Sequence, residues 1–144
     1  MATKSIRFSF LLPLLLAFCV ASANAQTKEV KKGPIKATSA TSGAEMFASY
    51  CAACHGKDGK GNGPAAAALK NPPANLTELA KKNDGKFPAD HVATVLRSGV
   101  SGAHGSTEMP VWGPLFTHVS GRSDAIVQMR IANLTHYLES IQVK

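Results

Sequence analysis

The chain has 144 residues, 44% of them hydrophobic but only 6% aromatic, and its 16 Lys plus Arg outnumber 9 Asp plus Glu to give a formal net charge of +7. That length holds one small domain with a modest core. The basic excess does not point to nucleic acid, because no aromatic residues are interleaved with the basic ones.

The opening residues read as a secretory signal peptide. Lys4 and Arg7 supply a basic start, Phe8 to Val20 is apolar except for Ser9 and Pro13, and Ala23-Asn24-Ala25 gives a small-x-small cleavage pattern. Cleavage is expected after Ala25, so residues 1–25 leave and the net charge of +7 drops by two with Lys4 and Arg7. The apolar run is shorter than the ~20 residues a spanning helix needs, so no membrane span is expected after cleavage. A lipoprotein site at Cys19 is disfavoured by bulky Phe18, and Cys19 departs with the signal, leaving Cys51 and Cys54. Residues 26–41 read as a flexible Lys-rich linker, with Lys28, Lys31, Lys32 and Lys36 beside Gly33 and Pro34 and no apolar period. It is either a solvated tether or a docking arm for an acidic partner or lipid surface. The folded domain is then 42–144.

Ser42 and Glu45 form an expected capping box, and Met46, Phe47 and Tyr50 follow at helical spacing into Cys51-Ala52-Ala53-Cys54-His55. Two cysteines three apart on a helix project from one face, so both sulfurs reach the two vinyl groups of one porphyrin. The adjacent histidine then lies under the ring as proximal iron ligand. A zinc site would need further Cys or His at finger-like spacing, and a thioredoxin-like pair would follow a strand rather than a helix. One such motif implies one covalently attached haem c.

Gly56 to Gly63 carries four glycines and reads as turns; no Gly-Lys-Ser/Thr follows, so it is not a phosphate-binding loop. Pro64 to Leu69 is a short apolar stretch ending at Asn71-Pro72-Pro73, which forbids helix. Leu76 to Lys82 reads as a short helix capped near Asn75 or Thr77, and Pro88 opens another with Val92, Val95 and Leu96 inward, ending before Gly99. Gly99 to Thr107 is loop, and Met109-Pro110-Val111-Trp112-Gly113-Pro114 reads as irregular because it holds two prolines and a glycine. The last helix is capped by Ser123 or Asp124 and puts Val127, Ile131, Leu134, Leu138 and Ile141 on one face with Tyr137 alongside. No strand candidate competes, so the fold class is all-α.

These features resemble the class I cytochromes c, the soluble monohaem kind. The resemblance rests on Gly43-x-x-x-Phe47-x-x-x-Cys51-x-x-Cys54-His55, on Leu134-Thr135-His136-Tyr137-Leu138 in the terminal helix, on Met109-Pro110 between them, and on the order of the helices. It implies a small cytochrome c-like fold, with N- and C-terminal helices crossing at Gly43 and one or two central helices around the haem.

The resemblance also assigns roles. Met109 becomes the distal ligand, a soft thioether that raises the reduction potential; Met46 precedes the haem cysteines on their own helix and Met129 lies within the last one. His104 is the alternative distal ligand, while His91, His118 and His136 read as ordinary side chains. Pro64 is placed as the carbonyl that accepts from the ligand histidine. Trp112 either packs on the porphyrin edge, donates to a propionate or fills the core, and Arg97 either pairs with a propionate or ends its helix in water. Lys57, Lys60, Lys81, Lys82 and Lys86 ring the haem edge for an acidic redox partner, or are each merely solvated.

The implied function is a bacterial periplasmic one-electron carrier, monomeric and not an enzyme, since haem attachment to this motif happens beyond the inner membrane. An electron-transfer subunit docked on a periplasmic dehydrogenase or reductase is the alternative. A ligand-binding or peroxidatic haem protein would need an open distal site.

Overall fold

Ser42 is where the backbone turns helical. Its side chain accepts from the amide of Glu45 at 3.2 Å, meeting one of the donors that every helix start leaves without a partner. The reciprocal half of the expected capping box does not form: Glu45 Oε2 accepts from the amide of Ser39 at 3.2 Å, so the carboxylate holds the preceding segment instead. The computed structural model describes residues 35–99 and 108–143; the expected signal peptide, residues 26–34 of the expected linker and His104 lie outside the described residues.

From Ser42, α1 (Gly43–Met46), a π-helical turn (Phe47–Cys51) and α2 (Ala52–His55) run end to end. In the π turn the amide of Ala52 donates to the Phe47 carbonyl, five residues back instead of four. This wider turn ends at Cys51 and so falls immediately before the remaining residues of the Cys-x-x-Cys-His motif. The single helix expected over Leu76–Lys82 is two 3₁₀ turns, Leu76–Glu78 and Lys81–Asn83. Asn75 caps the first, its Oδ1 accepting from the amide of Thr77 at 3.0 Å and from its hydroxyl at 2.7 Å.

α3 (Ala89–Ser98) follows Pro88, buries Val92 and Leu96, and stops at Gly99. The stretch expected to be irregular is so only up to Val111, for α4 (Trp112–Val119) contains both Gly113 and Pro114. Pro114 is the third helical residue, where the amide that proline lacks has no intrahelical partner in any case. Gly113 lies directly against the carbonyl of Arg97, a position a Cβ would occupy, so α4 presses on the end of α3. α5 (Asp124–Ser140) buries Val127, Ile131, Leu134 and Leu138 at the expected spacing, with Ser123 as its N-cap residue.

α5 is the common support, packing against α1, α3 and α4. At its crossing with α1, a Cβ on Gly43 would overlap the Asn133 carbonyl and come within 2.6 Å of Tyr137 Cβ. One turn on, the Phe47 and Tyr137 rings meet at 5.2 Å between centroids. Met46, Phe47, Phe116, Ile131 and Leu134 are the largest fully buried side chains, so the core lies where these helices meet.

The described part of the expected linker is corrected by its hydrogen bonds. Thr38 is buried, and Arg130 of α5, itself buried, donates to Thr38 Oγ1 at 3.1 Å, to its carbonyl at 2.8 Å and to Ser120 Oγ at 3.0 Å. Tyr50 donates to the Lys36 carbonyl at 2.8 Å, and Asn133 to that of Ala40 at 3.0 Å. These contacts are polar and use backbone oxygens, which is why no apolar period marks the segment.

Among the described residues there is no strand, and the fold is the all-α, small cytochrome c-like arrangement expected. Among them, too, no helix is long and apolar enough to cross a membrane. Because the α1–α5 crossing leaves no space for a side chain, Gly43→Val is expected to destabilise the protein by about 1–3 kcal/mol. Equilibrium denaturant unfolding followed by circular dichroism measures this, and an unchanged midpoint would remove Gly43 from the crossing.

Candidate haem site

The helix that carries Cys51, Cys54 and His55 ends at His55, leaving its last four carbonyls without helical donors. The glycine-rich loop supplies three of the amides and Ala65, just after it, the fourth. The amides of Gly56, Ala65, Gly63 and Gly61 donate to the carbonyls of Ala52, Ala53, Cys54 and His55 at 3.0, 2.9, 3.0 and 2.7 Å. Gly56 and Gly61 have φ of +79° and +84°, and a Cβ on Gly63 would lie 2.6 Å from the Cys54 carbonyl. The loop therefore folds back on the helix end only because these positions lack side chains.

The same loop receives the chain segment that orients His55. The Leu76 amide donates to the Gly59 carbonyl at 2.7 Å, and Gly61 lies against the Pro73 carbonyl. This brings the Ala74 carbonyl to 2.9 Å from His55 Nδ1. A carbonyl only accepts, so Nδ1 carries the hydrogen and Nε2 keeps its lone pair. Burial lowers the His55 pKa, partly offset by the bond to Ala74, so the ring is neutral at neutral pH, as a metal ligand must be. The acceptor is thus Ala74 and not Pro64. Pro64 is exposed and sits in the turn whose next amide caps Ala53, so its carbonyl is not the one at His55.

His55 opens on a cavity of ≈ 500 Å³ whose wall also includes Cys51, Cys54, Met109 and Trp112. The rest of the lining is largely apolar, including Leu69, Leu76, Leu79, Val95 and Leu96. A volume of this order is typical of a cofactor pocket. Cys51 is 8% exposed, and burial, with a smaller contribution from Cys54, pushes its thiol up to about 12. It therefore stands in the wall as a neutral, apolar group. Two thiols, one imidazole with a bare Nε2 and one thioether around a single apolar cavity form the donor set that fits haem c.

Other expected residues fall differently. Trp112 is buried in the wall and also packs on Tyr50 and Phe116, with centroids 5.4 and 5.8 Å away, so lining and core packing coincide in it. Arg97 is exposed, donates to Gln128 at 2.7 Å and is not part of the cavity wall, because its position on α3 faces α5. Met46 is fully buried in the core and Met129 is 42% exposed on α5, so neither reaches the cavity. Lys57, Lys60, Lys81, Lys82 and Lys86 are all exposed, and Lys60 pairs with Asp58 at 3.8 Å.

Sequence reasoning missed several wall residues. His91, read as an ordinary side chain, is one, and Glu108, Leu69 and the Asn71–Ala74 segment are others. The Pro72-Pro73 pair was the available signal for that segment, since it forces an extended path.

Trp112 is the only tryptophan and it lines the cavity. With haem bound there, energy transfer will quench indole emission in the folded protein, and unfolding will restore it many-fold. Steady-state fluorescence across a denaturant titration reads this directly; equal emission from folded and unfolded protein would put the haem elsewhere.

A family model described as cytochrome c oxidase, cbb3-type, subunit III, matches residues 38–128, more than half of the chain. No curated protein gives a significant match. No solved structure gives one either. The matched span runs from Thr38, held by Arg130, through the Cys-x-x-Cys-His motif and Met109 and into α5, and the chain belongs to this family of c-type cytochrome domains, whose work is electron transfer through haem c.

Proposed function

We propose that this protein is an exported, periplasmic one-electron carrier with a single covalently attached haem c, ligated by His55 and Met109. The observation that carries the reading is the gathering of Cys51, Cys54, His55 and Met109 on one apolar cavity, with His55 Nδ1 already committed to Ala74. The haem supplies one-electron redox chemistry when bound there. Cys51 and Cys54 would hold it through thioethers, and His55 Nε2 and the Met109 sulfur would ligate its iron.

The protein's own contribution is positional. The Ala74 carbonyl fixes the tautomer and tilt of His55 and makes it a stronger donor. Apolar walls such as Leu79 and Val95 keep water from the site and disfavour the more highly charged oxidised state. With His55 and Met109 both supplying donors, the iron would have no open position for a substrate, which accords with a carrier and not an enzyme.

The domain layout behind this reading is a signal peptide over 1–25, a Lys-rich leader and a monomeric domain that meets acidic redox partners through exposed lysines such as Lys57, Lys60, Lys81 and Lys82. A second reading, an electron-transfer subunit docked on a larger redox enzyme, is favoured by the family description, which names an oxidase subunit. Co-purification of a stable partner would select it.

Absorption spectra of the matured protein in both oxidation states test the ligation. A low-spin spectrum with the weak long-wavelength sulfur-to-iron band is expected, and Met109→Ala should abolish that band and lower the reduction potential. A high-spin ferric spectrum in the unaltered protein would indicate an open, ligand-binding haem. A low-spin spectrum that survives Met109→Ala unchanged would transfer the distal role to His104 or to His91.

A further inference from the structure

The segment that orients His55 also touches the neighbour of Met109. The carboxylate of Glu108 spans two consecutive amides, with Oε1 accepting from Lys70 at 2.9 Å and Oε2 from Asn71 at 3.3 Å. Four residues after Lys70, the carbonyl of Ala74 accepts from His55 Nδ1 at 2.9 Å. Between these two ends lie Pro72 and Pro73, whose rings fix φ and leave no slack. Behind them, Gly61 lies directly against the Pro73 carbonyl, so the segment is backed by the loop that caps the haem-motif helix.

We propose that residues 70–74 are a strut joining the two axial ligands, with Glu108 as the positioning residue that clamps Met109 to it. This rests on the His55/Met109 reading given above. His55 is held at one end by a backbone carbonyl, and the residue next to Met109 is held at the other by a carboxylate on two amides. Both bonds to Glu108 are charge-assisted, and they join positions 37 and 38 residues apart in sequence. An iron–sulfur bond is weak, so the loop that presents the sulfur must be held by something other than that bond. Glu108 supplies this hold without touching the iron. It sits in the cavity wall beside Met109, and its function is to keep the thioether close to its bonding position at all times.

The test uses the matured holoprotein with imidazole as the probe. Imidazole replaces the Met109 sulfur only after that sulfur leaves the ferric iron, so its binding rate at saturation reports how often the Met109 loop opens. Glu108→Gln keeps the shape and one acceptor oxygen but exchanges the other for an NH₂, and Glu108→Ala removes both. The expected saturating rates rise by several-fold in Glu108→Gln and by roughly ten-fold or more in Glu108→Ala, with weakening of the sulfur-to-iron band in the same order. A wild-type rate and band in Glu108→Gln would overturn the clamp, whatever Glu108→Ala does, and so serves where the alanine variant fails to fold.

Met109→Ala separates this failure from that of the underlying reading. If it loses the band while Glu108→Gln exchanges at the wild-type rate, only the clamp is wrong. If Met109→Ala retains the band, or the unaltered protein has none, the ligation reading falls and the strut falls with it.

Discussion

The crossing of α1 over α5 is the constraint on which the rest of the molecule depends. Gly43 lies so close to the Asn133 carbonyl that no side chain fits, and this contact sets the separation and angle of the two helices. Phe47, one turn on, then meets Tyr137, and Leu134 is left fully buried beneath them. Once those contacts are made, the direction of the first helix is settled, and with it the place where Cys51, Cys54 and His55 emerge. The π turn over Phe47–Cys51 begins at the ring that packs on Tyr137 and ends at the first cysteine of the motif, so it links the crossing directly to the attachment residues. Packing and attachment are therefore served by one continuous helix, whose π turn carries both Phe47 and Cys51.

Beyond His55 the controlling problem is the unmet carbonyls of the helix end. There are four of them; three obtain an amide from the glycine-rich loop and the fourth from Ala65 just beyond it. The solution has a consequence for the site, because the loop's own outer carbonyl at Gly59 and the bare backbone of Gly61 then receive the Pro73–Leu76 stretch. That stretch delivers the Ala74 carbonyl to His55. Gln142 completes the arrangement from the other side, donating to the Leu76 carbonyl at 2.7 Å and accepting from the Ala80 amide at 2.9 Å. The wall of the cavity is thus made of irregular chain, yet its backbone is tied to α2's end and to the residues after α5. Electron transfer through haem c gains from such a wall, since ligands that do not move between oxidation states keep reorganisation small.

The parts legible from sequence were those governed by local pattern. Cys51-x-x-Cys54-His55 is legible because the chemistry itself demands the spacing, and α5 because Val127, Ile131, Leu134 and Leu138 recur on one face. Met109, which the resemblance to class I cytochromes c makes the distal ligand, lines the same cavity as His55. What failed depended on contacts between distant residues. The acceptor for His55 is Ala74, nineteen residues on, and a backbone carbonyl leaves no trace in the identity of its residue. Arg97 was attractive as a cation near the end of a helix, but only packing reveals that it faces Gln128. α4 was hidden because Gly113 and Pro114 break helices in general, although neither does so in a first turn.

The segment before Ser42 shows the same limit from another side. Its lysines and small residues have the composition of a tether, and composition alone reads it as one. Arg130 reverses that reading for Thr38. A guanidinium buried in α5 has lost its hydration, and the oxygens of Ser120 and Thr38 are what replace the lost water. Thr38 Oγ1 lies 2.9 Å from the hydroxyl of Tyr50, and Tyr50 is in turn part of the cavity wall, stacked on Trp112. The polar strap from Lys36 to Ala40 thus fixes an aromatic residue of the haem cavity through hydrogen bonds rather than apolar contacts. The strap thus belongs to the folded unit although it precedes α1, because without it the buried guanidinium would keep only Ser120 and the wall tyrosine would lose both hydrogen bonds of its hydroxyl.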